Sequence, residues 1–115
     1  MPPEPRLATH MVVSALIRRL SADGDFATVL RKGDPTAGTL LLVTRCRGRN
    51  PALFEQFPVI NDIPKWQSII TQDIDNEQKI SEYLDRRTAR DPDIWVLELD
   101  VAFDERLTGL LDMRG

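Results

Sequence analysis

Apolar residues recur along this chain at two spacings, and the change from one to the other marks out its elements. Val13, Leu16, Ile17 and Leu20 fall at i, i+3, i+4 and i+7, the stripe of an amphipathic helix. The spacing predicts a helix over residues 10–22, with Thr9 as N-cap and Gly24 as the C-terminal stop. Two strand-like runs follow, Phe26-Ala27-Thr28-Val29-Leu30-Arg31 and Thr39-Leu40-Leu41-Leu42-Val43-Thr44-Arg45. The loop between them holds Gly33, Asp34-Pro35 and Gly38, which is turn chemistry, so the two runs read as an antiparallel hairpin. Residues 40–43 are apolar on both faces, which places the second run centrally in a sheet.

Arg47-Gly48-Arg49-Asn50-Pro51 is the next turn. A third strand then carries Leu53, Phe57 and Val59 on one face; Glu55 interrupts the alternation, and Pro58 suggests an edge or a bulge. Asn61-Asp62-Ile63-Pro64 breaks the chain, and Trp66 to Thr71 reads as a short fourth strand. A second helix begins after Asp75, with Gln78 as the capping-box partner. Its stripe is Ile80, Tyr83 and Leu84 with the stem of Arg87, supported by a Glu82–Arg86 pair at i, i+4. Pro92 ends that helix. The last strand runs over 93–100, with Trp95, Leu97 and Leu99 alternating with Glu98 and Asp100. Residues 106–111 read as a short helix or a tail.

The order α-β-β-β-(β)-α-β predicts an α+β fold: a two-layer sandwich of two helices on a mostly antiparallel sheet of four or five strands. Residues 1–9, rich in proline, read as a flexible leader, 10–101 as one domain, and 102–115 as the C-terminal segment.

Composition narrows the function more than it identifies it. With 115 residues, 42% hydrophobic and 29% charged, the chain is that of an ordinary globular domain. A net charge of −3 supplies no field for nucleic acid or an anionic membrane. The longest apolar-looking run, Met11 to Ile17, is too short to cross a bilayer, and no signal-peptide pattern precedes it, so a cytoplasmic protein is expected. One cysteine and one histidine leave no disulfide within the chain and no thiolate or imidazole metal cluster.

Three stretches together carry a resemblance. They are Val13-Ser14-Ala15-Leu16-Ile17-Arg18-Arg19; Phe26-Ala27-Thr28-Val29-Leu30-Arg31-Lys32-Gly33-Asp34-Pro35-Thr36-Ala37-Gly38; and Tyr83-Leu84-Asp85-Arg86-Arg87 leading to Asp91-Pro92-Asp93-Ile94-Trp95-Val96-Leu97-Glu98. Over residues 10–101 the chain resembles an uncharacterised family of short alphaproteobacterial proteins, domain of unknown function 1491. Where that family carries an aromatic before Val-Ser-Ala, this chain has His10-Met11-Val12. The resemblance implies no activity.

Candidate chemistry comes from the residues alone. The loop from Gly33 to Gly38, beside Lys32, has backbone N–H groups that could cradle a phosphate, but Gly38 is followed by Thr39-Leu40 and the P-loop pattern fails. Glu98 and Asp100 share a strand face with Asp91 and Asp93 nearby. They suggest a metal or an acid–base pair, yet turn formation and a pairing of Glu98 with a neighbouring-strand arginine explain them more simply. Cys46 has arginines on both sides and no base, and His10 reads as an exposed polar residue. Arg18, Arg19, Arg45, Arg47 and Arg49 would converge at one end of the sheet, a place for an anion or RNA. Trp66 and Trp95 read as core or interface anchors.

No catalytic residue, metal or cofactor is expected. The leading expectation is a small non-enzymatic interaction or regulatory module that binds a protein partner or a second copy of itself. The rival is a small-ligand or anion-binding domain built on Arg18, Arg19, Arg45 and Arg47 or on Lys32, Gly33 and Gly38; RNA binding is the third class.

Overall fold

A computed structural model describes residues 8–57, 65–73 and 75–111. The elements run α1 (Thr9–Ala22), β1 (Phe26–Arg31), β2 (Leu40–Cys46), β3 (Arg49–Phe57), β4 (Lys65–Ile70), α2 (Glu77–Arg90), β5 (Trp95–Val101) and α3 (Asp104–Leu111). The α+β class, the element order and the mostly antiparallel sheet are as predicted, the fourth strand is present, and the C-terminal segment forms a third helix. Pro58, Val59, the break at 61–64 and leader residues 1–7 lie outside the described residues.

The five strands are ordered β1-β5-β2-β3-β4. The predicted hairpin of the first two strands is therefore absent: β5 lies between them, antiparallel to β1 and parallel to β2. The apolar pattern explains the insertion. Ile94, Val96, Leu97, Leu99 and Val101 are at most 3% exposed. A strand apolar on both faces loses least by taking a central place, whereas β1 is exposed or half-exposed throughout and serves as the edge. β2 is the middle strand, as its residues 40–43 required. β3 is interior, not an edge. Its irregularity comes instead from a bulge at the β2–β3 turn, where Pro51 sits and Asn50 has φ 54°.

Successive residues of β2 divide between two cores. Leu40 and Leu42 join Val12, Val13, Leu16 and Leu20 of α1 and Leu107 and Leu110 of α3. Leu41 and Val43 join Leu53, Val96 and Ile80 of α2. Helices thus lie on both faces of the sheet, giving three layers where two apolar helix stripes predicted two.

The helix ends are built differently from the predicted caps. Gly24, at φ 78°, closes α1 as expected, with its N–H to the Ser21 carbonyl and that of Asp25 to Leu20, a Schellman motif. Thr9 does not cap α1; Ala8 holds that position, and the Thr9 hydroxyl donates to the Gly38 carbonyl at 2.7 Å. Asn76, not Asp75, precedes α2, and its side-chain amide donates to the Thr71 carbonyl. Gln78 reaches forward to Glu82 at 3.0 Å, and Arg86 lies over the Tyr83 ring, so neither the capping box nor the Glu82–Arg86 pair describes the helix.

Glu55 finds its reason in this packing. It faces α2 and accepts two hydrogen bonds from Arg87, at 2.9 and 3.2 Å, while Arg87 also donates to the Tyr83 hydroxyl at 2.6 Å. On the other face, the carboxylate of the buried Asp25 accepts from the Ala102 N–H and from Arg106, tying the start of β1 to α3.

Candidate functional site

The 33–38 loop is a crossing, not a tight turn. To carry the chain from edge strand β1 to central strand β2, it passes over the start of β5. There the Asp34 N–H donates to the Asp93 carbonyl at 3.0 Å, the Trp95 N–H donates to the Thr39 carbonyl at 2.8 Å, and the Trp95 indole N–H donates to the Asp34 carbonyl at 2.7 Å. The approach is close enough to require glycine. A Cβ on Gly33 would lie 2.1 Å from the Asp93 carbonyl oxygen, and one on Gly38 2.2 Å from it. The same loop closes the start of α1, whose Thr9 and His10 N–H groups meet the Thr36 and Pro35 carbonyls. The donors a phosphate would use are engaged within the loop: the Asp34 carboxylate takes the N–H groups of Thr36 and Ala37, and the Asp34 carbonyl takes that of Gly38. Lys32 is exposed beside it.

The arginines separate across the sheet. Arg18 and Arg19 are exposed on α1, over one face. Arg45 turns to the other, where its guanidinium meets both Glu77 oxygens, one of them at 2.8 Å, and Glu98 at 3.1 Å. These carboxylates hold the Arg45 guanidinium still more firmly charged, and hydrogen bonding to Arg45 holds the Glu77 carboxyl below its ordinary value. Arg47 and Gly48 form the β2–β3 hairpin turn, both at positive φ, with Arg47 exposed and the Gly48 N–H bound by the Asp100 carboxylate at 3.0 Å. Three of the four acids of the β5 region are thus accounted for. Glu98 pairs with Arg45, Asp100 holds the turn, and Asp91 accepts the Asp93 N–H at 3.0 Å in a local Asx turn. Among the described residues no group of three potential metal-ligating side chains comes together.

Cys46 is half-buried, and its thiol lies 3.8 Å from the Ala102 carbonyl. Desolvation pushes its pKa up, and Asp104 adds to this; Arg47 opposes only weakly. The flanking arginines therefore do not activate it. On the α3 side of the sheet a shallow groove of about 250 Å³ is lined by Thr44, Phe54, Ser68, Asp104, Leu107 and Thr108, among others. None of the arginines or loop residues singled out above lines it.

What remains is the edge made by β1. Phe26 and Thr28 stand opposite Asp100 and Glu98 on the α2 side of the sheet, but α2 packs over Leu41, Val43, Leu53 and Val96 and leaves Phe26 72% exposed. Leu30, at the irregularity between Val29 and Arg31, is 52% exposed, and Val29 40%. Met11, on the helix that packs against β1, is also exposed. Of the five exposed large apolar residues among those described, three are on this one strand. Its outer backbone groups pair with no other described strand. Sequence reasoning missed this edge because it gave β1 a hairpin neighbour on the wrong side. The signal available was the contrast between a thinly apolar 26–31 and a densely apolar 94–99.

Comparison with known proteins agrees with the fold. The family model described as "Protein of unknown function (DUF1491)" matches residues 7–108. A crystal structure of a DUF1491 family protein from Caulobacter crescentus is 35% identical, with a TM-score of 0.70 over 84% of this chain and 87% of that one. The solution structure of protein Atu0922 from A. tumefaciens is 30% identical, with a TM-score of 0.71 over 84% and 86%. No curated protein matches the chain.

Proposed function

The chain belongs to the DUF1491 family, and from that premise we propose that it is a small cytosolic interaction module that takes up an extended strand of a protein partner along the outer edge of β1. The observation that carries this reading is an unpaired edge strand with Phe26, Val29 and Leu30 exposed on it. Edge strands of soluble proteins are usually guarded by lysine, proline or cover, because their free N–H and C=O groups are a template for another chain. Between Phe26 and Val29 this strand has no charge, no proline and no bulge; the bulge at Leu30 and the charge of Arg31 guard only its C-terminal end. In strand addition the main chain supplies affinity, and alternate side chains supply selectivity.

The arginine end supports an anion reading less well, since Arg45 already has two carboxylate partners. No helix among the described residues is long and apolar enough to cross a membrane.

A selection of extended peptides from a random displayed library tests the proposal. Selected peptides should bind the wild-type chain and lose at least tenfold in affinity to a Leu30→Lys variant that keeps its far-ultraviolet circular dichroism. Selected binders indifferent to Leu30→Lys would place recognition elsewhere and sink the reading.

A further inference from the structure

We propose that the groove beside α3 is a binding site for a small organic ammonium ion, an amine with a short apolar body and no carboxylate. The site lies on the β4 side of the sheet, away from the β1 edge, and is independent of the reading above. Three observations carry it.

The groove has the size of one small molecule. Its floor is the α3 face of β2 and β3, where Thr44 stands opposite Ala52, with Phe54 next along the strand face. Leu107 and Leu111 of α3 line one side and Ser68 of β4 the other. At about 250 Å³ it falls just below the roughly 300–1,000 Å³ of sites for drug-sized ligands, so a molecule of about ten non-hydrogen atoms suits it.

The floor also holds an unused polar group. Thr44 is 2% exposed, yet among the described residues its hydroxyl has no hydrogen-bond partner. Its neighbours on that face, Leu42, Leu99 and Ala52, have apolar side chains and offer it none. A buried hydroxyl left unpaired is costly, and a ligand with a polar head supplies the missing partner.

Charge selects the ligand. Asp104, the first residue of α3, is the one charged residue in the lining. Its Oδ1 accepts from the Gln72 side-chain amide at 3.3 Å, a neutral donor, and none of the ion pairs among the described residues uses it. Arg106 is held by Asp25, and Arg49, opposite Cys46, is exposed and outside the lining. The carboxylate is therefore left to attract a cation, and the Phe54 ring adds a π-face that favours one. An ammonium group donates to Asp104 while the apolar body covers Leu107 and Leu111. An amino acid or a fatty acid would bring a carboxylate that no base in the lining can meet.

Titration of the nitrogen-15-labelled full chain, read by amide chemical shifts, tests this with three probes of similar size: phenethylamine, 2-phenylethanol and phenylacetate. Phenethylamine should move the amides of Thr44, Phe54 and Ser68 saturably, with a dissociation constant in the millimolar range for so small a ligand. It should bind at least tenfold more tightly than the other two. Asp104→Asn should remove that preference while the circular dichroism spectrum is kept. Thr44→Val should weaken phenethylamine severalfold and leave the urea midpoint unchanged or higher. A hydroxyl used by the fold itself would instead lower that midpoint, and this would count against the site. No saturable shift at these amides up to about 50 mM, equal binding of the three probes, or tighter binding of phenylacetate would each overturn the proposal. Shifts confined to Phe26, Val29 and Leu30 would overturn it too, by placing the amine on the exposed edge strand.

Discussion

Trp95 shows how much one residue can join. It is 5% exposed, belongs to the core under α1, and its indole N–H holds the carbonyl of Asp34 in the crossing loop. Trp95→Ala should cost about 3–5 kcal/mol in urea denaturation, the range for large buried aromatics. Trp95→Phe keeps most of the packing and leaves the Asp34 carbonyl with the Gly38 N–H alone, and should cost about 1 kcal/mol. Asp93→Asn should cost far less, because what the loop uses of Asp93 is its backbone carbonyl. Cys46 gives a second residue-scale expectation. With its pKa raised by burial and by Asp104, it should react with a disulfide reagent at pH 8 more slowly than a free thiol, and faster once the chain is unfolded. At this scale the sequence was readable where a residue acts locally. Gly24 as helix stop, Trp95 as anchor and Asp91 as turn-former all follow from their neighbours. Asp25 and Asp100 were opaque, because their partners lie far along the chain in Arg106 and Gly48; Asp34 was legible as a turn-former but not as the backbone acceptor of the Trp95 indole.

Elements are held to the sheet by polar clasps as well as by apolar contact. Helix α2 has few buried residues, and its moorings are Arg87 to Glu55 toward its C-terminal end and Glu77 to Arg45 at its start. Glu55→Ala should therefore destabilise the fold by about 2 kcal/mol, the order of a charge-assisted hydrogen bond, with earlier exchange of the α2 amides. The Glu77 clasp has a pH signature. Its carboxyl titrates below the ordinary value of 4.5 in the folded chain, so its contribution is fully present above that value. It is lost as the pH falls through the lowered folded pKa. Urea midpoints of wild type and Glu77→Gln should thus differ at pH 7 and converge at pH 2–3. Periodicity found the first two helices and the five described strands within a few residues, since amphipathic stripes and alternating runs are local, and left the third helix open between a short helix and a tail. It misplaced β1 because strand neighbours are chosen by competition among all strands for burial, which two adjacent runs and a loop cannot reveal.

At the scale of the whole molecule, the unpaired edge and the helices on both faces belong together. Covering the two faces with α1, α2 and α3 leaves the strand edges as the sheet's open boundary. The class and the element order were legible in the chain; the candidate edge was not, because an edge is a property of strand order alone.

The central place of β5 has a further consequence for how the chain is made. A ribosome delivers residues 26–31 and 40–46 long before residues 95–101, yet the strand that bridges them is the last to emerge. Until then, the N-terminal part of the nascent chain carries a sheet split by a gap one strand wide, and α1 has no finished surface to rest on. A fragment ending at residue 92 should accordingly lack cooperative thermal unfolding by circular dichroism, while the full chain regains it. The sheet can close only after residue 101 has been made. A chain cut short before that point is left for proteolysis.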